Sequence, residues 1–105
     1  MEKTRLDILS EFVRSAPKDS FARYGLAMEY ARLGENDNAL EHFRALWELN
    51  PDYIAAYFQA GKLLAQMGEI ERAREALGQG ILAASRTGDQ HAKSEMEAAL
   101  GELGI

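Results

Sequence analysis

The sequence predicts an all-α fold built from repeated helix–turn–helix units, and three observations predict it. Helix breakers stand at regular places: Pro17, Gly34, Pro51, Gly68 and Gly88 divide the chain into stretches of helical length. Pro17 to Pro51, Gly34 to Gly68 and Ala39 to Ala73 are each spaced by 34 residues, and a fixed period of this size is the mark of a repeat architecture. Between the breakers apolar residues recur every three or four positions, and no stretch alternates with period two. About six helices and no sheet are expected.

Each helix has its own stripe and its own boundary chemistry. The first carries Leu6, Leu9, Val13 and Ala16, and Thr4 with Asp7 three residues on reads as a capping box. The second carries Leu26, Tyr30 and Leu33, with Asp19 or Ser20 as its N-cap. Ala39, Leu40, Phe43, Leu46, Trp47 and Leu49 form the third stripe, with Trp47 read as core. Ala60, Leu63, Leu64 and Met67 form the fourth, and Asp52 is available to cap it. The fifth has Ile70, Ala73, Leu77, Ile81 and Ala84. The sixth has Ala92, Met96, Ala99, Leu100 and Leu103, with Thr87 and Gln90 as a second capping box. Gly34 and Gly68 fall where a helix would end in the left-handed conformation, which glycine adopts without steric cost. Connections of a few residues make neighbouring helices antiparallel.

Composition excludes several function classes. The chain of 105 residues is 47% hydrophobic and 28% charged, as expected for one soluble globular domain spanning 1–105. There is no cysteine, hence no disulfide and no cysteine-ligated metal. The net charge of −5 and the pI near 5.0 argue against nucleic acid and against an anionic membrane surface as partners. Asp7, Glu11 and Arg14 interrupt any signal-peptide core, and no apolar window is long enough to span a bilayer, so the expected compartment is the cytoplasm. No cofactor, metal site or enzymatic constellation is expected. His42 and His91 lie far apart, the serines have no base beside them, and Gly78 and Gly80 read as close-packing sites inside a helix rather than as a phosphate loop.

The period resembles the tetratricopeptide repeat, whose pattern runs W-x2-L-G-x2-Y, A-x3-F, P. In the unit spanning 20–53, Arg23 stands at the tryptophan place, followed by Leu26, Ala27, Tyr30, Ala39, Phe43 and Pro51. In the unit spanning 54–87, Tyr57, Ala60, Gly61, Leu64, Ala73 and Leu77 take the corresponding places, and Ser85 replaces the proline. The departures at Arg23 and Ser85 are expected to loosen their junctions. Ala27, Gly61, Ala39 and Ala73 are small so that paired helices can approach closely. Projected backward, the period makes 3–17 the second half of a repeat whose first half is missing. Projected forward, it makes 88–104 a C-terminal capping helix with a polar outer side. The resemblance implies a right-handed superhelix of antiparallel helix pairs.

The resemblance also implies where a partner would sit. First-half helices line the concave side of such a superhelix, which would place Phe21, Tyr24, Met28, Ala31 and Arg32 inward. Ala55, Phe58, Lys62, Ala65 and Gln66 would follow from the next first-half helix, then Asp89, Ala92, Lys93 and Met96 from the cap. Independently, Phe21, Tyr24, Met28 and Phe58 lie off the apolar core stripes of their own helices. Two readings of these aromatics stand side by side: they pack on each other and finish the core, or they floor a partner-binding groove whose charge preference is set by Arg32, Lys62 and Lys93. The subclass that grips chaperone C-termini with a Lys/Asn/Arg clamp is a poor match, since Tyr24, Met28, Gln59 and Asp89 occupy most of its places and Lys93 alone is basic.

The expected function is a non-catalytic interaction module or scaffold that binds a peptide or helix of a protein partner, as a monomer or weak homodimer. The alternatives are a structural subunit that self-associates through the exposed N-terminal helix and an accessory subunit of an enzyme. Ile8 and Phe12 would form the self-association patch unless Met1 and the stems of Lys3 and Arg5 cover it.

Overall fold

Six helices, with no strand among the described residues, make up the computed structural model, which describes residues 2–104. They are α1 (Arg5–Ser15), α2 (Ser20–Arg32), α3 (Asn36–Leu49), α4 (Ile54–Gln66), α5 (Ile70–Thr87) and α6 (Gln90–Glu102). The helices gather into two compact units that divide after Asn50.

In the first unit α2 packs against both α1 and α3. On the α1 side, Val13, Ala22 and Leu26 are buried, with Leu6, Leu9 and Tyr30 packed around them. On the α3 side, Ala27, Ala39, Phe43 and Leu46 have almost no accessible surface. Ala27 and Ala39 are the small residues singled out by the repeat pattern, and they let the larger Phe43 and Leu46 sit between the helices. Trp47 is half-buried. In the second unit α5 packs against α4 and α6, and α4 also touches α6. Here glycine decides how closely the helices approach. A Cβ on Gly61 would lie 2.7 Å from Leu77 Cδ2, and one on Gly80 would lie 2.5 Å from Met96 Sδ and 2.7 Å from Tyr57 Cβ. Gly78 faces open space, so only Gly80 of that pair is a close-packing site.

The helix ends follow local chemistry with two corrections. The Thr4–Asp7 capping box is formed, and Asp19 caps α2 by accepting from the Ala22 N–H at 3.0 Å. Gly34, Gly68 and Gly88 all have φ near +79°. Each is followed by an amide that reaches back beyond the usual helical partner, as in Glu35 N–H to the Tyr30 carbonyl at 2.9 Å and Glu69 N–H to the Leu64 carbonyl at 2.9 Å. The expected Thr87–Gln90 box is not made. Thr87 lies within α5, its hydroxyl donates back to the Ala83 and Ala84 carbonyls, and Asp89 caps α6 instead. Nor does Asp52 cap α4: the N-cap position falls one residue later, on Tyr53, and the Asp52 carboxylate is held by Arg86 at 2.6 Å.

The two departures from the repeat pattern have distinct consequences. At the Arg23 junction the guanidinium donates to the Pro17 carbonyl at 3.3 Å, a longer counterpart of the contact that Tyr57, 34 residues on, makes with the Pro51 carbonyl at 2.7 Å. Ser85 does change the structure. Pro51 disfavours a helical Asn50, so α3 ends at Leu49 after 14 residues, whereas α5 runs through Ser85 to Thr87 and has 18. Consequently α6 begins at Gln90, two residues later than the period from Ile54 requires.

Arg23 also contacts His42, at 3.1 Å between Nη1 and Nδ1, and the imidazole stacks on Tyr30 with centroids 5.5 Å apart. Burial, and then the Arg23 charge, push the His42 pKa down from its ordinary 6.5. His42 therefore binds its proton less readily in the folded chain than in the unfolded one. The stability that neutral His42 contributes is complete above 6.5 and is lost as pH falls through the lower folded value. His42→Gln is expected to flatten the fall of the urea midpoint just below pH 6.5. An unchanged slope in paired urea titrations would refute this assignment. Thermal unfolding separates the glycines. Gly34→Val and Gly68→Val should each cost about 1–3 kcal/mol because valine is strained at positive φ. Gly80→Ala should cost about 1–3 kcal/mol by overpacking, while Gly78→Ala should gain about 0.5–1 kcal/mol of helix stability.

Candidate functional site

Each unit carries an open cleft on the exposed side of its first-half helix. In the first unit the cleft holds about 600 Å3 and is lined by Arg5, Phe21, Tyr24, Gly25, Met28, Glu29 and Arg32. Four of the residues expected from the sequence are thus brought together: Phe21, Tyr24, Met28 and Arg32. They meet because they recur at three- and four-residue spacing along one face of α2, away from the Ala22–Leu26 core stripe. Phe21 is 79% exposed, whereas Tyr24 is half-buried with its ring tilted against Phe43 at 6.2 Å between centroids. Tyr24 is therefore partly core and partly cleft wall.

Beside these residues the cleft is lined by a charge cluster that the sequence only half announces. Glu29 is 5% exposed, the sole charged residue among those buried in the described chain. Arg32 grips it with two hydrogen bonds, Nε to Oε1 at 2.9 Å and Nη2 to Oε2 at 2.6 Å, and Arg5 of α1 approaches Oε1 at 3.4 Å. The Arg32 hydrogen bonds hold the Glu29 carboxyl below the ordinary carboxylate value, against the opposing effect of burial. The three-residue spacing of Glu29 and Arg32 is a signal legible in the sequence; the approach of Arg5 from another helix is not.

In the second unit the cleft holds about 570 Å3. Phe58, Lys62, Ala65 and Gln66 of α4 line one side, Leu77 of α5 contributes, and Glu95, Ala98, Ala99, Glu102 and Leu103 form the α6 side. Lys62 Nζ stands over the Phe58 ring, 4.9 Å from its centroid. Phe58 and Lys62 are where the sequence places them, but none of the four residues expected from the cap, Asp89, Ala92, Lys93 and Met96, lines the cleft. Met96 has no accessible surface and packs beneath Gly80, and Lys93 is half-buried outside the cleft wall. The two-residue delay of α6 is the physical reason. It turns Met96 from the groove position equivalent to Lys62 into the buried position equivalent to Ala60, and it brings Glu95, Ala98 and Glu102 to the cleft.

Outside the clefts, Ile8 and Phe12 on α1 are 54% and 53% exposed. Lys3 pairs with Glu11 at 2.9 Å and Arg5 with Glu29, so the charged ends of both residues are engaged elsewhere; Met1 lies outside the described residues. Among the described residues, no group of acidic and histidine side chains is arranged to hold a metal ion, and no helix is long and apolar enough to cross a membrane.

Comparison with known proteins agrees with this architecture. The tetratricopeptide repeat family model matches residues 30–99. A TPR repeat-containing protein of Pseudomonas aeruginosa is 30% identical over 95 residues, covering 90% of each chain. A tetratricopeptide repeat domain protein from Salinibacter ruber, solved by NMR, is 34% identical with a TM-score of 0.79, covering 84% of this chain and 89% of that one. The TPR2B domain of yeast Sti1, solved in a pHsp70 complex, shares the fold at 17% identity and a TM-score of 0.85, covering 93% of this chain and 78% of that one. The 34-residue period, the helix pairs closed at Ala27, Ala39, Gly61 and Ala73, and the family match place this chain in the tetratricopeptide repeat family.

Proposed function

We propose that this chain is a non-catalytic protein–protein interaction module of the cytoplasm, a scaffold that holds a peptide or helix of a partner protein against its first-half helices. The observation that carries this reading is Phe21. It is a large aromatic, 79% exposed, beside Met28 and Tyr24 in an open cleft, on a helix whose opposite face already supplies the core. An exposed apolar cluster rimmed by charge is the usual form of a peptide-docking surface. Shared fold with a yeast domain solved in a pHsp70 complex supports the same class of activity. Phe58, exposed in part beside Lys62, is the matching element of the second unit.

Selection from a phage-displayed peptide library on the immobilised protein tests the proposal and needs no identified partner. Wild type is expected to enrich a defined peptide family. Phe21→Ala or Phe58→Ala should weaken at least part of that family by roughly thirtyfold, the equivalent of the ~2 kcal/mol typical of an interface hot spot. Phe21→Ala should leave the helical circular dichroism and the melting temperature nearly unchanged. Absence of enrichment above a blank surface, or enriched peptides indifferent to both substitutions, would overturn the reading.

The second reading is self-association through α1, favoured by the exposed Ile8 and Phe12. Light scattering over a concentration series separates it. A mass that rises with concentration in wild type, and not in Phe12→Glu, would support it; a constant monomer mass would exclude it.

A further inference from the structure

We infer that the cleft of the second unit selects a partner segment carrying lysine or arginine beside an apolar side chain, with the partner's cation taking the place that Lys62 occupies over the Phe58 ring. This rests on the proposed function and goes further, because it assigns the partner's charge. Lys62 Nζ lies 4.9 Å from the Phe58 centroid, within the distance at which the negative face of an aromatic ring attracts a cation. The pose marks a spot where positive charge is held, and a flexible lysine stem can leave it.

The opposite wall favours the same sign. Of the charged residues lining this cleft, Lys62 is the one cation and Glu95 and Glu102 are the two anions. Both glutamates are exposed, and the small Ala98 and Ala99 beside them leave the space between α4 and α6 open. His91 approaches Glu95 at 3.0 Å from one turn earlier, outside the lining, and opposes that carboxylate only when protonated. Leu77 and Leu103 provide apolar contact for the partner's neighbouring side chain. A partner carboxylate would meet two like charges here, whereas a partner cation completes the set. The sign depends on the register of α6. At the uninterrupted 34-residue period, Lys93, Met96, Glu97 and Leu100 would stand where Glu95, Ala98, Ala99 and Glu102 now do, and the α6 wall would carry one cation and one anion instead of two anions.

The experiment begins with the library peptides whose binding is lost in Phe58→Ala. Those peptides are expected to be enriched in Lys or Arg next to Leu, Met or an aromatic. For a synthetic copy of one of them, fluorescence anisotropy should show Kd rising about three- to tenfold in Glu95→Gln/Glu102→Gln, the range for two partly exposed ion pairs. It should show Kd falling in Lys62→Met, where a like charge is removed and the ring is uncovered. Both variants alter exposed side chains, and circular dichroism checks that they stay folded. Phe58-dependent peptides enriched in Asp or Glu, or weaker binding in Lys62→Met, would overturn the inference while leaving the proposed function standing. Enriched peptides that depend on Phe21 but not on Phe58 would do the same. No enriched peptides at all would overturn both.

Discussion

The pyrrolidine ring of Pro51 clashes with a helical Asn50, and this simple steric rule governs more of the molecule than any single contact. With Pro51 in place, α3 stops at Leu49. Where the period brings Ser85 instead, nothing halts α5, and it continues until Gly88 turns it into the left-handed conformation. Thr87 is absorbed into the extra turn, where its hydroxyl bonds back to α5 carbonyls, and the capping role passes to Asp89. The sixth helix then starts two residues late. Its fully buried side chain is Met96, whose flexible thioether fills the space that a side chain at position 80 would need, which Gly80 leaves open. Its cleft wall becomes acidic. One missing proline thus propagates into helix length, cap identity, core composition and the charge of a surface.

The other departure from the repeat pattern shows the opposite behaviour. Arg23 replaces an aromatic yet donates to the carbonyl of Pro17, as Tyr57 does to the carbonyl of Pro51. The turn presents a carbonyl that either a phenol or a guanidinium at that place can donate to. Among the described residues no buried side-chain nitrogen or oxygen is left without a partner. Glu29 follows the same rule at higher stakes. An almost fully buried carboxylate is tolerable because Arg32 grips it with a two-point contact and Arg5 adds charge from a neighbouring helix. The arrangement also fixes both arginines beside Phe21 and Met28, so a structural requirement shapes the rim of the first cleft.

In each unit the core and the candidate surface are written on opposite faces of the same helix. Ala22, Leu26 and Ala27 look inward from α2, while Phe21 and Met28 do not. Tyr24 lies at the boundary, half-buried against Phe43, so Tyr24 helps to finish the core and the exposed Phe21 does not. The charges of the two clefts differ, with two arginines around one glutamate in the first and two glutamates around one lysine in the second.

By itself the sequence determined the all-α class, the helix pairs and most of the turns, because these rest on short-range rules. Apolar spacing of three and four, glycine at positive φ, and the caps at Thr4 and Asp19 all act within a few residues of chain. It also determined Phe21, Tyr24, Met28 and Arg32 as a group, since residues on one helical face stay together whatever surrounds the helix. The tertiary structure decided what depended on partners distant in sequence. Asp52 serves the guanidinium of Arg86, 34 residues away, and stands one residue outside the N-cap place of its own helix. Glu29 gains its second cation because α1 brings Arg5 to it. Met96 and Lys93 left the expected groove because the register of α6 depends on where α5 stops. That end point is a balance between continuing the helix and turning at Gly88, and no local pattern around Met96 records it.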